Sequence, residues 1–128
     1  MKICWIKSIS PESAGGRLKE IYEKVATAGR NIHNLYQAQS LRPESILGHD
    51  GLYKSILHTG EFTCSGWFLE AVAVYTSVLN RCNYAIAHHG ANMAHLLADP
   101  ERTEKISEAF RKDKLATAFE GKELALLL

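Results

Sequence analysis

The chain has 128 residues, 46% of them hydrophobic and 23% charged, and a formal net charge of +1. At roughly 150 residues per domain this is one domain, large enough to bury a core without disulfide or metal staples. The near-balance of 15 basic and 14 acidic side chains excludes the basic excess of a nucleic-acid binder. No stretch reaches the roughly 20 apolar residues of a membrane span. The opening Met1-Lys2-Ile3-Cys4-Trp5 carries too short an apolar run for a signal peptide. Cys4, Cys64 and Cys82 are odd in number, which points to a reducing cytoplasm rather than a secreted disulfide framework.

In chain order the punctuation predicts a series of helices. Ser10-Pro11-Glu12-Ser13 reads as a helix start, with proline at the first helical position. Leu18, Ile21, Tyr22 and Val25 then follow at spacings that make one apolar face. Gly29 reads as that helix's stop. Asn31 to Asn34 is loop-like, with a short helix through Leu35-Tyr36-Gln37-Ala38. Pro43 opens a long helix holding Ile46, Leu47, Leu52, Tyr53, Ile56 and Leu57, and Gly60 closes it.

Ser65 is the expected cap of the next helix, from Trp67 to about Asn80, apolar nearly all round and so expected to lie centrally. A further helix runs from about Cys82 to Leu97. Asp99-Pro100-Glu101 starts another, with Ile106 and Phe110. A last one begins near Gly121 and runs into Leu128, which reads as a helix docked on a core or interface, or as a cut in a longer parent chain. The one β-rich run, Val72-Ala73-Val74-Tyr75, sits inside a helical pattern. The fold class is therefore all-α, with helices packed roughly as a bundle.

The stretch from Glu70 to His89 carries the chemistry. Position 89 lies about 700° round the helix from position 82, about 20° short of two full turns, so Cys82 and His89 share a face. Ala85 lies between them on that stripe, and His88 points about 120° away from Cys82. A chain break near Asn80-Arg81, which no Gly or Pro marks, would fold Glu70 back against the stripe and put Cys82 in the first turn of a helix. Unpaired backbone N–H groups and the helix dipole favour negative charge there. His89 then exchanges protons with the thiol or a substrate near position 85, and Glu70 orients His89 or accepts its proton. Arg81 is a partner for Glu70 or for an anionic substrate, or else a solvated cap. Cys and His spaced seven apart, with no second close pair, do not make a structural zinc pattern, and no metal or cofactor is expected.

The segment resembles the core motif of the alkylhydroperoxidase D and carboxymuconolactone decarboxylase superfamily. That motif is a glutamate, a Cys-x-x-Cys pair beginning twelve residues on, and a histidine four residues after the second cysteine. Glu70, Cys82 and His89 occupy the matching places, and Asn80, Tyr84 and His88 fit its peroxidase-related branch. Ile9-Ser10-Pro11-Glu12, Asn34-Leu35-Tyr36 and Leu52-Tyr53 extend the likeness along most of the chain. Members of that branch are typically longer than this chain.

The resemblance implies an alkylhydroperoxidase D-like helical bundle assembled as a homo-oligomer, a trimer or hexamer. It implies an antioxidant peroxidase, an oxidoreductase acting on a small hydroperoxide through catalytic Glu70, Cys82 and His89, with Arg81, Tyr84 and His88 as accessories. The departure is Ala85, where the family has its second cysteine, the residue that meets the hydroperoxide. Without it the disulfide cycle lacks a partner, and an external thiol must do that work. Two alternatives stand beside this: a decarboxylase-like enzyme using Glu70 and His89 as acid and base on a carbon acid, and a non-catalytic oligomeric scaffold.

Overall fold

The computed structural model describes residues 3–27, 31–60 and 63–128. Every regular element among them is helical, with no strand. Among the described residues no helix is long and apolar enough to cross a membrane. The chain divides into two compact units, residues 1–59 and 60–128.

In the first unit, α1 (Gly16–Val25), α2 (Asn34–Ala38) and α3 (Pro43–Leu57) surround one apolar cluster. The face read from sequence is the buried one: Leu18, Ile21, Tyr22 and Val25 all point inward. Ile32, Tyr36 and Ile46 complete the cluster. The helix start differs from expectation. Pro11–Ser13 makes only a short 3-10 turn, because Ala14 and Gly15 are extended, and α1 begins at Gly16. α1 ends at Val25, while the expected stop at Gly29 lies outside the described residues.

α3 opens on Pro43 as expected, yet it buries only Ile46, and Leu52 and Ile56 are exposed. Apolar identity alone misreads such a helix, since apolar atoms make up much of any protein surface. The Tyr22 hydroxyl donates to Ile9 O at 2.8 Å, and the Ile9 N–H donates to Ser40 Oγ at 2.8 Å. These bonds hold the leading segment against the cluster.

The second unit holds α4 (Gly66–Leu79), α5 (Asn83–Leu97), α6 (Pro100–Arg111) and α7 (Gly121–Leu127). Its core is Phe68, Ala71, Val74, Met93, Ile106, Phe110, Leu115 and Phe119. Fully burying each of the larger side chains contributes roughly 1.5–3 kcal/mol. Phe110 stacks on Phe119 with ring centroids 5.4 Å apart and on Tyr75 at 5.1 Å. Ser65 is the N-cap of α4 as read, though its side chain makes no capping bond. Asp99 does cap α6, accepting from the Arg102 N–H at 3.0 Å. α7 begins at Gly121, as the sequence indicates, and packs on the short turn Leu115–Thr117.

Arg81, Ala98 and Asp113 take left-handed φ at helix ends in this unit, and Arg81 and Asp113 do so in the same way. α4 stops at Leu79 and the chain reverses through Asn80, Arg81 and Cys82. Arg81 takes a left-handed φ of 54°. Its N–H donates to Val78 O at 3.0 Å, and the Cys82 N–H donates to Ser77 O at 2.9 Å. This is the Schellman arrangement, with arginine where glycine is usual. Asp113 (φ 53°) repeats it after α6, where the Lys114 N–H reaches Ala109 O at 2.9 Å.

Candidate active site

The tight reversal at Arg81 makes α4 and α5 an antiparallel hairpin, the most extensively packed helix pair in the unit. The break near Asn80-Arg81 is therefore present, and it does what the spacing required. Glu70, from the buried side of α4, faces His89 of α5. Glu70 Oε2 lies 2.7 Å from His89 Nδ1. The Glu70 side chain is 2% exposed and that of His89 22%. A carboxylate that deep requires a polar partner. Since an ionised carboxylate only accepts, Nδ1 carries the proton in this bond when the ring is neutral, which puts the ring's basic lone pair on Nε2.

Glu70 has a second partner that sequence reasoning missed. Asn92 Nδ2 donates to Glu70 Oε1 at 3.3 Å. Asn92 is three residues beyond His89, so both project from one side of α5. That spacing was the available signal. A polar residue on a solvent-facing helix does not disturb the apolar periodicity, so periodicity does not reveal it. The expected alternative, Arg81 paired with Glu70, does not describe the site. The two Glu70 oxygens bond to His89 and Asn92, while Arg81 is exposed and shapes the turn.

Cys82 is the N-cap of α5 and exposed, one position earlier than the first turn expected for it. Its carbonyl accepts the Ile86 N–H at 3.0 Å, so the sulfur stands at the open end of the helix. Seven residues separate it from His89, roughly 10 Å of helical rise. Ala85 is half-buried between them.

Of the accessory residues, Tyr84 and His88 form their own ring pair, centroids 4.4 Å apart, on the exposed side of α5. Asn80 closes α4, its amide donating to Thr76 O at 2.8 Å. Among the described residues no three His, Cys, Asp or Glu side chains gather as a metal site would need. A hollow of about 630 Å³ lies by Tyr75, Leu115, Leu124 and Leu127. The pair joins a buried carboxyl group to a half-buried ring.

In comparisons with family models, curated proteins and solved structures, none matches the chain.

Proposed function

We propose that the chain reduces small hydroperoxides through Cys82, with His89 and Glu70 as its proton-handling pair. One observation carries the reading: the buried Glu70 carboxylate bonds His89 Nδ1 at 2.7 Å on the helix that the exposed Cys82 begins. The Cys82 thiolate attacks the distal peroxide oxygen, and the O–O bond breaks. Sulfur is oxidised to sulfenic acid, and the departing alkoxide takes a proton from the imidazolium of His89. An external thiol then attacks the sulfenic sulfur and releases water, leaving a mixed disulfide, and a second thiol attacks that disulfide to free Cys82 and form the external disulfide. Glu70 steadies the charged ring while it holds the proton. Ala85 leaves Cys82 without a resolving cysteine one turn away, so turnover is slow.

The family likeness carries a homo-oligomer, trimeric or hexameric, and the odd cysteine count carries a reducing cytoplasm. The exposed Leu52, Ile56, Leu79 and Leu96 offer apolar surface that an assembly would cover. Light scattering that found only monomer at micromolar concentration would remove the assembly.

A second reading is favoured by one feature of the site. The Glu70–His89 bond forms without the sulfur, which is what an acid–base enzyme acting on a carbon acid requires.

The deciding experiment follows Cys82 oxidation by a small alkyl hydroperoxide and peroxide consumption with a dithiol, in the parent and in Ala85→Cys. The expected outcome is sulfenic acid at Cys82 with slow consumption in the parent. In the variant, consumption should be faster, with a disulfide between Cys82 and the introduced thiol. Equal inactivity in both would remove the redox reading. Loss of a decarboxylase or tautomerase activity in Glu70→Gln, with Cys82→Ser unaffected, would install the acid–base reading. No activity in any variant would favour a non-catalytic scaffold.

A further inference from the structure

We infer that Asn92 is a positioning residue that fixes the tautomer of His89 by holding the Glu70 carboxylate from its second oxygen. The inference deepens the proposed function, since the pair it acts on is the pair that function uses.

The argument starts from the carboxylate. Glu70 is a buried residue on a helix whose neighbouring inward side chains are Phe68, Ala71 and Val74. Those neighbours offer it no hydrogen bonds. Both of its oxygens are satisfied by α5 alone: Oε2 by His89 and Oε1 by Asn92. A carboxylate held at one oxygen can swing about its last bond. Held at both, its plane is set, and the oxygen facing the imidazole is set with it. The amide must present nitrogen here, because an ionised carboxylate only accepts.

Burial makes this second bond consequential. Among the described residues no buried side-chain nitrogen or oxygen lacks a partner. Removing the Asn92 amide would leave Glu70 Oε1 as the first exception, against apolar neighbours. The carboxylate then turns toward solvent or admits water, and either response loosens its grip on Nδ1. The ring consequently populates the other tautomer, with the proton on Nε2 and no basic lone pair facing a substrate. Asn92 itself is exposed, so it spans from the buried oxygen to the surface. Its side chain makes no part of the apolar core. An effect of its loss on the ring therefore reports the hydrogen bond rather than packing.

The test is nitrogen-detected NMR of protein labelled at histidine nitrogens, with His89 assigned through His89→Gln. The parent should show one dominant tautomer, protonated at Nδ1. Asn92→Leu, which keeps the branched shape and removes the donor, should reduce that preference roughly three- to tenfold, the range of one ordinary hydrogen bond. Glu70→Gln should reduce it further. An Asn92→Leu spectrum matching the parent's would overturn the inference.

The unmutated chain provides a second measurement that needs no folded variant at position 92. One Asn92 side-chain amide proton should resonate downfield of its geminal partner, and the separation should shrink in Glu70→Gln. An amide pair unmoved by that substitution would also overturn the inference. The tautomer readout does not depend on catalysis. A mixed tautomer in Asn92→Leu with no peroxide chemistry in any variant supports the positioning role and removes the redox reading. Intact chemistry with an unchanged tautomer does the reverse.

Discussion

Each unit of the molecule holds a two-partner carboxylate, and the two are built differently. In the first unit Asp50 accepts from the Tyr36 hydroxyl at 2.9 Å and from Lys54 Nζ at 2.8 Å. In the second, Glu70 accepts from His89 at 2.7 Å and from Asn92 at 3.3 Å. Asp50 thus has a permanent cation one helical turn away. Glu70 has an imidazole and an amide instead. The Asp50 side chain is also more open to water, at 16% against 2% for Glu70. The first arrangement ties α2 to α3, and the second ties α4 to α5 from a far more buried carboxyl group.

The sharpest way to break this contrast is to neutralise each carboxylate in place. Glu70→Gln should slow Cys82 oxidation by roughly 100-fold, the lower end of what a positioned proton-transfer group contributes, because it loosens His89. Asp50→Asn should leave that rate within about twofold, since substitutions away from the reacting groups leave chemistry nearly intact. Stopped-flow oxidation of the thiol measures both. Similar losses in the two variants would erase the distinction.

Stability should respond in the opposite sense. Asp50→Ala removes the acceptor of the buried Tyr36 hydroxyl and should cost about 2 kcal/mol in denaturant unfolding. Lys54→Met should cost less than about 0.5 kcal/mol, because that ion pair is largely solvated. A large Lys54 effect would mean the cation carries more of the first arrangement than its exposure allows.

A smaller change sharpens the frame around Glu70. Arg81 is exposed and sits at φ 54°, a region costing roughly 1 kcal/mol for a residue with a Cβ. Arg81→Gly should therefore raise stability by about 1 kcal/mol and the thermal midpoint by roughly 3–5 °C. Cys82 oxidation should be unchanged. Slower oxidation in this variant would show that the guanidinium assists the substrate.

The smallest effect lies in the alkaline range. The Tyr75 phenol is held above its ordinary value by its hydrogen bond to the Asp113 carboxylate, 2.7 Å away. Burial pushes the Tyr22 phenol up as well. A raised folded-state value favours the protonated form. Its stabilisation is thus complete below the unfolded phenol value near about pH 10 and lost as pH rises through the folded one. Unfolding midpoints should fall above about pH 10, and less steeply in Tyr75→Phe. An unchanged alkaline slope in that variant would leave Tyr22 as its source.

What the sequence disclosed follows from which signals are periodic. Leu18, Ile21, Tyr22 and Val25 announce the buried side of α1 because burial repeats with the helix. Asp99 before Pro100 announces α6 because capping has fixed chemistry. The spacing of Glu70 and His89 on two helices allowed their meeting, but the meeting depended on a reversal that no Gly or Pro marks. Arginine occupies the left-handed position, so composition hid the turn. Asn92 was hidden for a related reason: one long hydrogen bond leaves no pattern. Leu52 and Ile56 erred the other way, since residue type states a preference for burial and not its occurrence.

The three-residue reversal between α4 and α5 acts as a gauge. One residue inserted in α5 between that reversal and His89 would turn the imidazole by about 100° about the helix axis and advance it by roughly 1.5 Å, away from its carboxylate. Loops absorb length changes readily. The helical count from the reversal to His89 does not, so a single-residue change in it should lose the pair.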